Sequence, residues 1–362
     1  MKKKDITRRE FLRGAGAAAA GIAAFGLFGT GALASGEGSG ASGEASAASG
    51  EASGEALRGV LAFTSDQHGE TDGLRNWIAA RVGEYGDALV HLSYGGDICD
   101  KSWEPDVFEG FRAVLDELLP GRYAVTTGNQ EHKTGVPAWD TLGPAFVESG
   151  VVAETDDYII YHLGAAQESM AFQPGQIGDL ADYLAAAPNN IPIFVVSHYP
   201  LHLSVPYDGH DIPGGYRQAS NNDALIAALN NHANVVFLWG HNHTFADPRY
   251  GTIRPAGVSF TWSCDNPADK AVTGFVYANM GSFCRGDAYG LIAELKRDSS
   301  GVVVTMKYMD KAGVMESKQA AVVTFAPDGT VTTDVTREGV INFDDMLALS
   351  GYPDDPRFRE DF

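Results

Sequence analysis

The chain has 362 residues, of which 44% are hydrophobic and 20% charged, and its formal net charge is −21. That much apolar material supplies a globular core and excludes a wholly disordered or low-complexity protein. The acidic balance excludes nucleic acid and anionic membrane surfaces as expected partners, since both require positive potential, whereas a small phosphate ester stays admissible because bound cations invert the charge of a local site.

Residues 1–34 read as an export signal. Thr7-Arg8-Arg9-Glu10-Phe11-Leu12-Arg13 resembles the twin-arginine motif of bacterial Tat signals, an Ala/Gly-rich apolar stretch follows from Gly14, and Ala32-Leu33-Ala34 offers a small-residue cleavage site. The Tat export machinery is therefore an expected partner, and the expected location is periplasmic, extracellular or cell-surface. Cleavage leaves no stable membrane insertion; retention of the stretch as an anchor is the alternative. Residues 35–57 form a Ser/Gly/Glu/Ala-rich linker without apolar periodicity.

From Val60 strands and helices alternate. Val60–Ser65 is an apolar run ending at Asp66, and Leu74, Trp77, Ile78 and Val82 then fall at helical spacing, with Asp72 as the expected N-cap. Ala88–Tyr94 repeats the strand pattern and ends at Gly95-Gly96 before Asp97. A second helix opens at Pro105, and Arg122–Thr126 is a third strand ending at Gly128-Asn129. After a less regular interval come a helix over Gln176–Leu184, a strand over Ile193–Val196 running into His198, a helix over Asp223–Leu229, and a strand over Val235–Trp239 running into His241. Beyond Thr252 the texture changes to strands and turns, with runs at Gly290–Leu295, Val302–Tyr308 and Ala321–Phe325 and a turn at Pro327-Asp328-Gly329. The predicted domain spans 58–335, and 336–362 reads as an acidic tail.

Five polar clusters thus sit at the carboxyl ends of predicted strands, the edge where ligands collect in α/β folds. They supply Asp66 and His68, Asp97, Asn129, His198, and His241 and His243. Mixed nitrogen and oxygen donors without thiolate suit divalent Zn, Mn, Fe or Mg rather than a Cys-rich structural zinc. Seven donors exceed the needs of one ion and suit two ions sharing a carboxylate. On an extended chain, residues two apart face the same side, which pairs Asp66 with His68 and His241 with His243.

In order and context these clusters resemble the calcineurin-like metallophosphoesterase family, with its D-x-H, G-D-x-x-D, G-N-H-[DE], H-x-P and G-H-x-H motifs, over roughly Val60 to Leu295. The resemblance implies a four-layer α/β/β/α sandwich of two mixed sheets flanked by helices, two divalent metal ions, and hydrolysis of a small-molecule phosphomonoester or phosphodiester. One ion would take Asp66, His68, Asp97 and His243, and the other Asp97, Asn129, His198 and His241. The chain departs from the family at Gly128-Asn129-Gln130-Glu131, where Gln130 replaces the His that assists the leaving group and would normally be oriented by the carboxylate at Asp100. Three readings follow: His132 substitutes for that acid, metal activation suffices for good leaving groups, or catalysis is weak and the protein is a metal-retaining binding or surface protein.

Among the remaining residues, His91 and His162 read as packed or surface residues, and His232 as solvent-facing. His202 reaches either the rim of the site or ordinary loop packing, while Trp103 and Tyr199 are wall or substrate contacts. Pro206–Asp211 with Arg217 is either a substrate loop or a solvated one. Cys264 and Cys284 lie in loop-like sequence and either pair or stay free, and Cys99 reads as a small buried filler.

Overall fold

The computed structural model describes residues 57–100, 104–133, 142–164, 172–201, 222–241, 243, 253–257, 259–261, 270–284, 288–315 and 319–336. The signal, the linker, the tail after 336, Trp103, Cys264 and the loop holding His202, Pro206–Asp211 and Arg217 lie outside those residues. No helix among the described residues is long and apolar enough to cross a membrane.

The first half alternates as its apolar spacing predicts: β1 (Leu57–Thr64), α1 (Thr71–Tyr85), β2 (Leu89–Tyr94), α2 (Pro105–Leu118), β3 (Tyr123–Val125) and the short α3 (Asn129–Lys133). Helix α1 buries Leu74, Trp77, Ile78 and Arg81, and α2, opened by Pro105, buries Phe108, Phe111, Val114 and Leu115. The cap of α1 is Glu70, not Asp72. Asp72 lies inside the first turn, where its charge complements the exposed N–H groups without a capping hydrogen bond.

The second half contains β4 (Ser149–Glu154), β5 (Ile159–Leu163), α4 (Pro174–Ala186), β6 (Ile193–Ser197), α5 (Asn222–Asn230), β7 (Val235–Trp239) and β8 (Ile253–Arg254). A two-strand ladder of β9 (Ser259–Thr261) and β10 (Lys270–Val272) follows, then β11 (Val276–Asn279), β12 (Gly281–Ser282), β13 (Tyr289–Asp298), β14 (Gly301–Asp310), β15 (Gly313–Val314), β16 (Ala320–Phe325) and β17 (Val331–Val335). The sequence pattern leaves β5 unassigned although that strand is buried throughout, and β4 and β17 escape it for one reason. Strands β4 and β17 are half-exposed edge strands that lack a buried apolar face.

The strands make two mixed sheets. One runs β17-β16-β14-β13-β1-β2-β3, with β1, β2 and β3 parallel; the other runs β4-β5-β6-β7-β11-β8, with β5, β6, β7 and β11 parallel. Side chains such as Val60, Ala62, Leu92 and Tyr94 pack outward on α1 and α2, whereas Leu61, Phe63, Leu291 and Ala293 join residues of the second sheet in one core. Leu180, Leu184, Leu225 and Leu229 of α4 and α5 cover the second sheet. The result is the expected four-layer α/β/β/α sandwich, and the carboxyl ends of β1, β2, β3, β6 and β7 carry the polar clusters.

Between the sheets, His162 on β5 bonds Ser93 Oγ at 3.1 Å and the Val147 carbonyl at 3.2 Å, with His91 on β2 nearby. Both are packed residues. Burial lowers His91 to about 4, and burial with the neighbouring His91 ring lowers His162 to about 3, against a 3.2 Å bond to Val147 that works the other way. The unfolded rings titrate near 6.5, so between pH 6.5 and 3 the unfolded chain binds more protons. The stability they confer is complete above pH 6.5 and drains away as pH falls toward 4 and below. In denaturant titrations of chelated protein, His162→Gln is expected to flatten the fall in unfolding free energy between pH 6.5 and 4, a difference of a few kcal/mol, at about 1.4 kcal/mol per pH unit.

Candidate metal centre

Among the described residues, the non-glycine positions with positive φ are Asp66 (55°), His68 (47°), Asp97 (58°), His241 (71°) and His243 (40°). All five belong to the donor set read from the sequence. Left-handed backbone at a non-glycine residue costs of order 1–3 kcal/mol, persists where surrounding structure enforces it, and gathers at functional sites. It also corrects the expected geometry: Asp66 and His68, like His241 and His243, are brought together by sharp turns and not by extended alternation.

Neighbouring loops hold these turns. Asp66 N–H donates to the Gly96 carbonyl at 2.9 Å, His68 N–H to Asp97 O at 3.1 Å and Gly69 N–H to Ile98 O at 2.9 Å, so the loops after β1 and β2 run as a pair. Gly96, with φ 94°, is required twice over, since a Cβ there would lie 2.1 Å from the Gly128 nitrogen. The Glu131 carboxylate, buried on α3, accepts N–H groups from Gly128 (2.7 Å), Asp97 (2.9 Å) and Ile98 (2.8 Å). Burial and the Asp97 charge raise its pKa against those three bonds. Within the second sheet Gly240 N–H donates to His198 O at 3.0 Å, and from there His241 N–H donates to Asp66 Oδ2, beyond β1 of the first sheet, at 2.8 Å.

The donor atoms fall into two groups that share Asp97: Asp66, His68, Asp97 and His243, and Asp97, His198 and His241. In the first, His68 Nε2 lies 2.8 Å from His243 Nε2, 3.7 Å from Asp97 Oδ2 and 3.8 Å from Asp66 Oδ1, and His243 Nε2 lies 3.3 Å from Asp66 Oδ1. In the second, His198 Nε2 lies 3.3 Å from Asp97 Oδ2 and 3.1 Å from both Asn129 Oδ1 and His241 Nδ1, which brings Asn129 into this group. Donors held 2.0–2.2 Å from one divalent ion stand about 2.8 to 3.6 Å apart along a polyhedron edge and up to about 4.4 Å apart across it, a range that contains these spacings. Asp66 Oδ1, fully buried, has no hydrogen-bond partner and faces the two Nε2 atoms. The residues present therefore fit divalent cations.

Electrostatics agrees with that fit. Burial opposes the Asp66 and Asp97 carboxylates, yet the His198 charge holds both below the ordinary aspartate value. Burial likewise opposes the His198 cation, and Asp97 and Asp66 overcome it, raising the ring to about 9. Burial and the adjacent His198 lower His241 to about 3. Carboxylates and imidazoles are thus forced to neutralise one another, a task a cation would perform with all of them deprotonated. The Nδ1 of His198 lies 2.9 Å from the Gly95 carbonyl, which fixes Nδ1 as a donor and turns Nε2 toward the donor cluster.

The remaining candidates divide. Asp100 is half-exposed and sits 3.4 Å from His68 Nδ1, facing the outer nitrogen of a donor ring. Gln130 donates its backbone N–H to Asp97 Oδ1 at 2.8 Å, and its side-chain Oε1 is buried without a hydrogen-bond partner. His132 lies on the helical turn α3, two residues after Gln130, and its side chain lies outside the described residues. Tyr199 is a buried wall residue whose ring meets His198 and His241 edge-on, at centroid distances of 5.1 and 5.0 Å. Sequence reasoning gave Glu131 no role of its own and read Cys284 only as a thiol that pairs with Cys264 or stays free. The Cys284 sulfur lies within 4.8 Å of donor atoms of His68 and His243, and Cys99 and Cys284 are free thiols, Cys99 buried as expected.

No protein-family model and no curated protein matches the chain. Among solved structures it is similar to TT1561 of Thermus thermophilus, at 12% identity over 78% of this chain and 100% of that one, with a TM-score of 0.38. It is similar to the NAD nucleotidase of Haemophilus influenzae at 12% identity over 80% of this chain, TM-score 0.40, and spans 56% of that protein. A third is the phosphopantetheinyl hydrolase of Mycobacterium tuberculosis, at 16% identity over 62% of this chain and 90% of that one, TM-score 0.32. At such distances no residue role or substrate passes from them to this chain.

Proposed function

We propose that the protein is an exported, metal-dependent phosphoesterase that hydrolyses phosphomonoesters or phosphodiesters of small molecules at a dinuclear centre. The observation that carries this reading is the convergence of seven donors, from five separated loops, into two groups joined by Asp97. Asp66, His68, Asp97 and His243 would hold one ion, and Asp97, Asn129, His198 and His241 the other. Paired divalent ions supply hydroxide near neutral pH and stabilise charge on phosphoryl oxygens. The chain's own part is positional: Glu131 fixes the Asp97 loop and the Gly95 carbonyl aims His198. The Gln130 amide can donate a hydrogen bond to a phosphoryl oxygen but supplies no proton at neutral pH.

The test is hydrolysis of an aryl phosphomonoester and an aryl phosphodiester before chelation, after it, and after metal is restored. Chelator-sensitive turnover supports the proposal; full metal occupancy without turnover on a broad ester panel overturns it. The latter outcome belongs to a second reading, favoured by Gln130 alone, in which the protein retains metal for binding at the cell surface. Gln130→His discriminates further. It is expected to raise kcat/KM for alkyl esters by up to about 10²-fold while changing aryl esters little, because general acid catalysis matters most for poor leaving groups.

A further inference from the structure

The stretch Asn279–Cys284 has no role in the seven-donor account, yet it runs directly past the first donor group. Strand β11 belongs to the second sheet, and β12, two residues on, pairs with β13 of the first. The chain therefore crosses the sandwich at Met280. The crossing is tightly held: Met280 N–H donates to the Trp239 carbonyl at 2.9 Å, and Ser65 Oγ donates to Gly281 O at 3.0 Å. At Gly281, with φ 96°, an added Cβ would lie 2.4 Å from the Tyr289 carbonyl, so glycine is needed for the crossing. Phe283 N–H then donates to the Asp66 carbonyl at 3.2 Å, which ties the segment to the loop that carries Asp66 and His68. Cys284 follows immediately, its N–H bonded to Ser282 Oγ at 3.1 Å.

We infer that Cys284 is a further metal ligand, a sulfur donor on the His68 and His243 side of the first group. The inference rests on the metal reading proposed above. Three independent features support it: the sulfur and the ring nitrogens of His68 and His243 lie within 4.8 Å of one another, Asp66 Oδ1 is buried and unpartnered beside them, and the backbone bond from Phe283 fixes the segment against Asp66. On binding, the sulfur–hydrogen bond breaks, the proton leaves to solvent, and both electrons stay on sulfur to form the metal–sulfur bond. A thiolate makes this half of the centre softer than the all-nitrogen-and-oxygen half, which retains Asp97, Asn129, His198 and His241. The two ions then need not be alike: the sulfur-bearing half favours Zn or Fe(II), while the other accepts Mn as readily.

The full chain loaded with cobalt(II) tests this. Visible d–d bands with elemental analysis report whether cobalt occupies the donors at all, and a near-ultraviolet sulfur-to-cobalt charge-transfer band reports thiolate ligation separately. The expected result is both signals in the parent protein, loss of the charge-transfer band in Cys284→Ser with the d–d bands retained, and retention of both in Cys99→Ser and Cys264→Ser. Cobalt bound without the charge-transfer band, or a band that survives Cys284→Ser, overturns the sulfur ligand and leaves the dinuclear proposal standing. Failure to bind cobalt at all overturns both.

Discussion

Asp97→Asn is expected to strip metal from both halves of the centre and to lower kcat/KM for aryl phosphate esters by at least about 10²-fold. The cause is geometric. Asp97 Oδ2 lies 3.7 Å from His68 Nε2 and 3.3 Å from His198 Nε2, so one oxygen faces a donor ring of each group, while Oδ1 is occupied by the Gln130 N–H at 2.8 Å. An amide keeps the volume but removes the charge that balances both cations. His198→Gln provides the contrast, since it touches only the second group and should leave one ion per chain. Elemental analysis of the two variants after dialysis decides the matter. An Asp97→Asn protein that keeps one tightly held ion would show that the carboxylate serves a single site.

Glu131→Ala is expected to destabilise the protein by roughly 3–6 kcal/mol, with loss of metal following. Its carboxylate is the partner of three backbone N–H groups from two loops, and a buried donor left without an acceptor costs about 1–3 kcal/mol. Glu131→Gln keeps an oxygen for part of that set and should fall between. Urea unfolding of the chelated proteins gives the stability change free of any metal contribution, and metal content measured on the folded fraction gives the second effect. If Glu131→Ala unfolds like the parent, the carboxylate does not organise the Asp97 loop.

The strands that carry the site are plain in the sequence because β1, β2, β6 and β7 are apolar runs ended abruptly by polar residues, as interior strands of a sandwich must be. Their convergence at one edge follows from parallel pairing, which a sequence implies only through the alternation of strand and helix. What stayed hidden depends on contacts across the fold. Asp66 and His68 meet because both adopt left-handed backbone, a choice held by hydrogen bonds to the loop after β2, some thirty residues on in the chain. Glu131 looks like one acid among many until three N–H groups are seen to converge on it. Cys284 carries no motif at all, and its place is set by the chain's crossing from one sheet to the other.

Each donor group draws on both sheets: Asp66, His68 and Asp97 from the loops after β1 and β2 stand with His243 beyond β7, and Asp97 and Asn129 stand with His198 and His241. Neither half of the sandwich can therefore present a full coordination sphere by itself. Cations would act as rivets between two layers, driven home only after the layers have met, which makes metal uptake the closing event of assembly and ties the order of folding to the acquisition of chemistry.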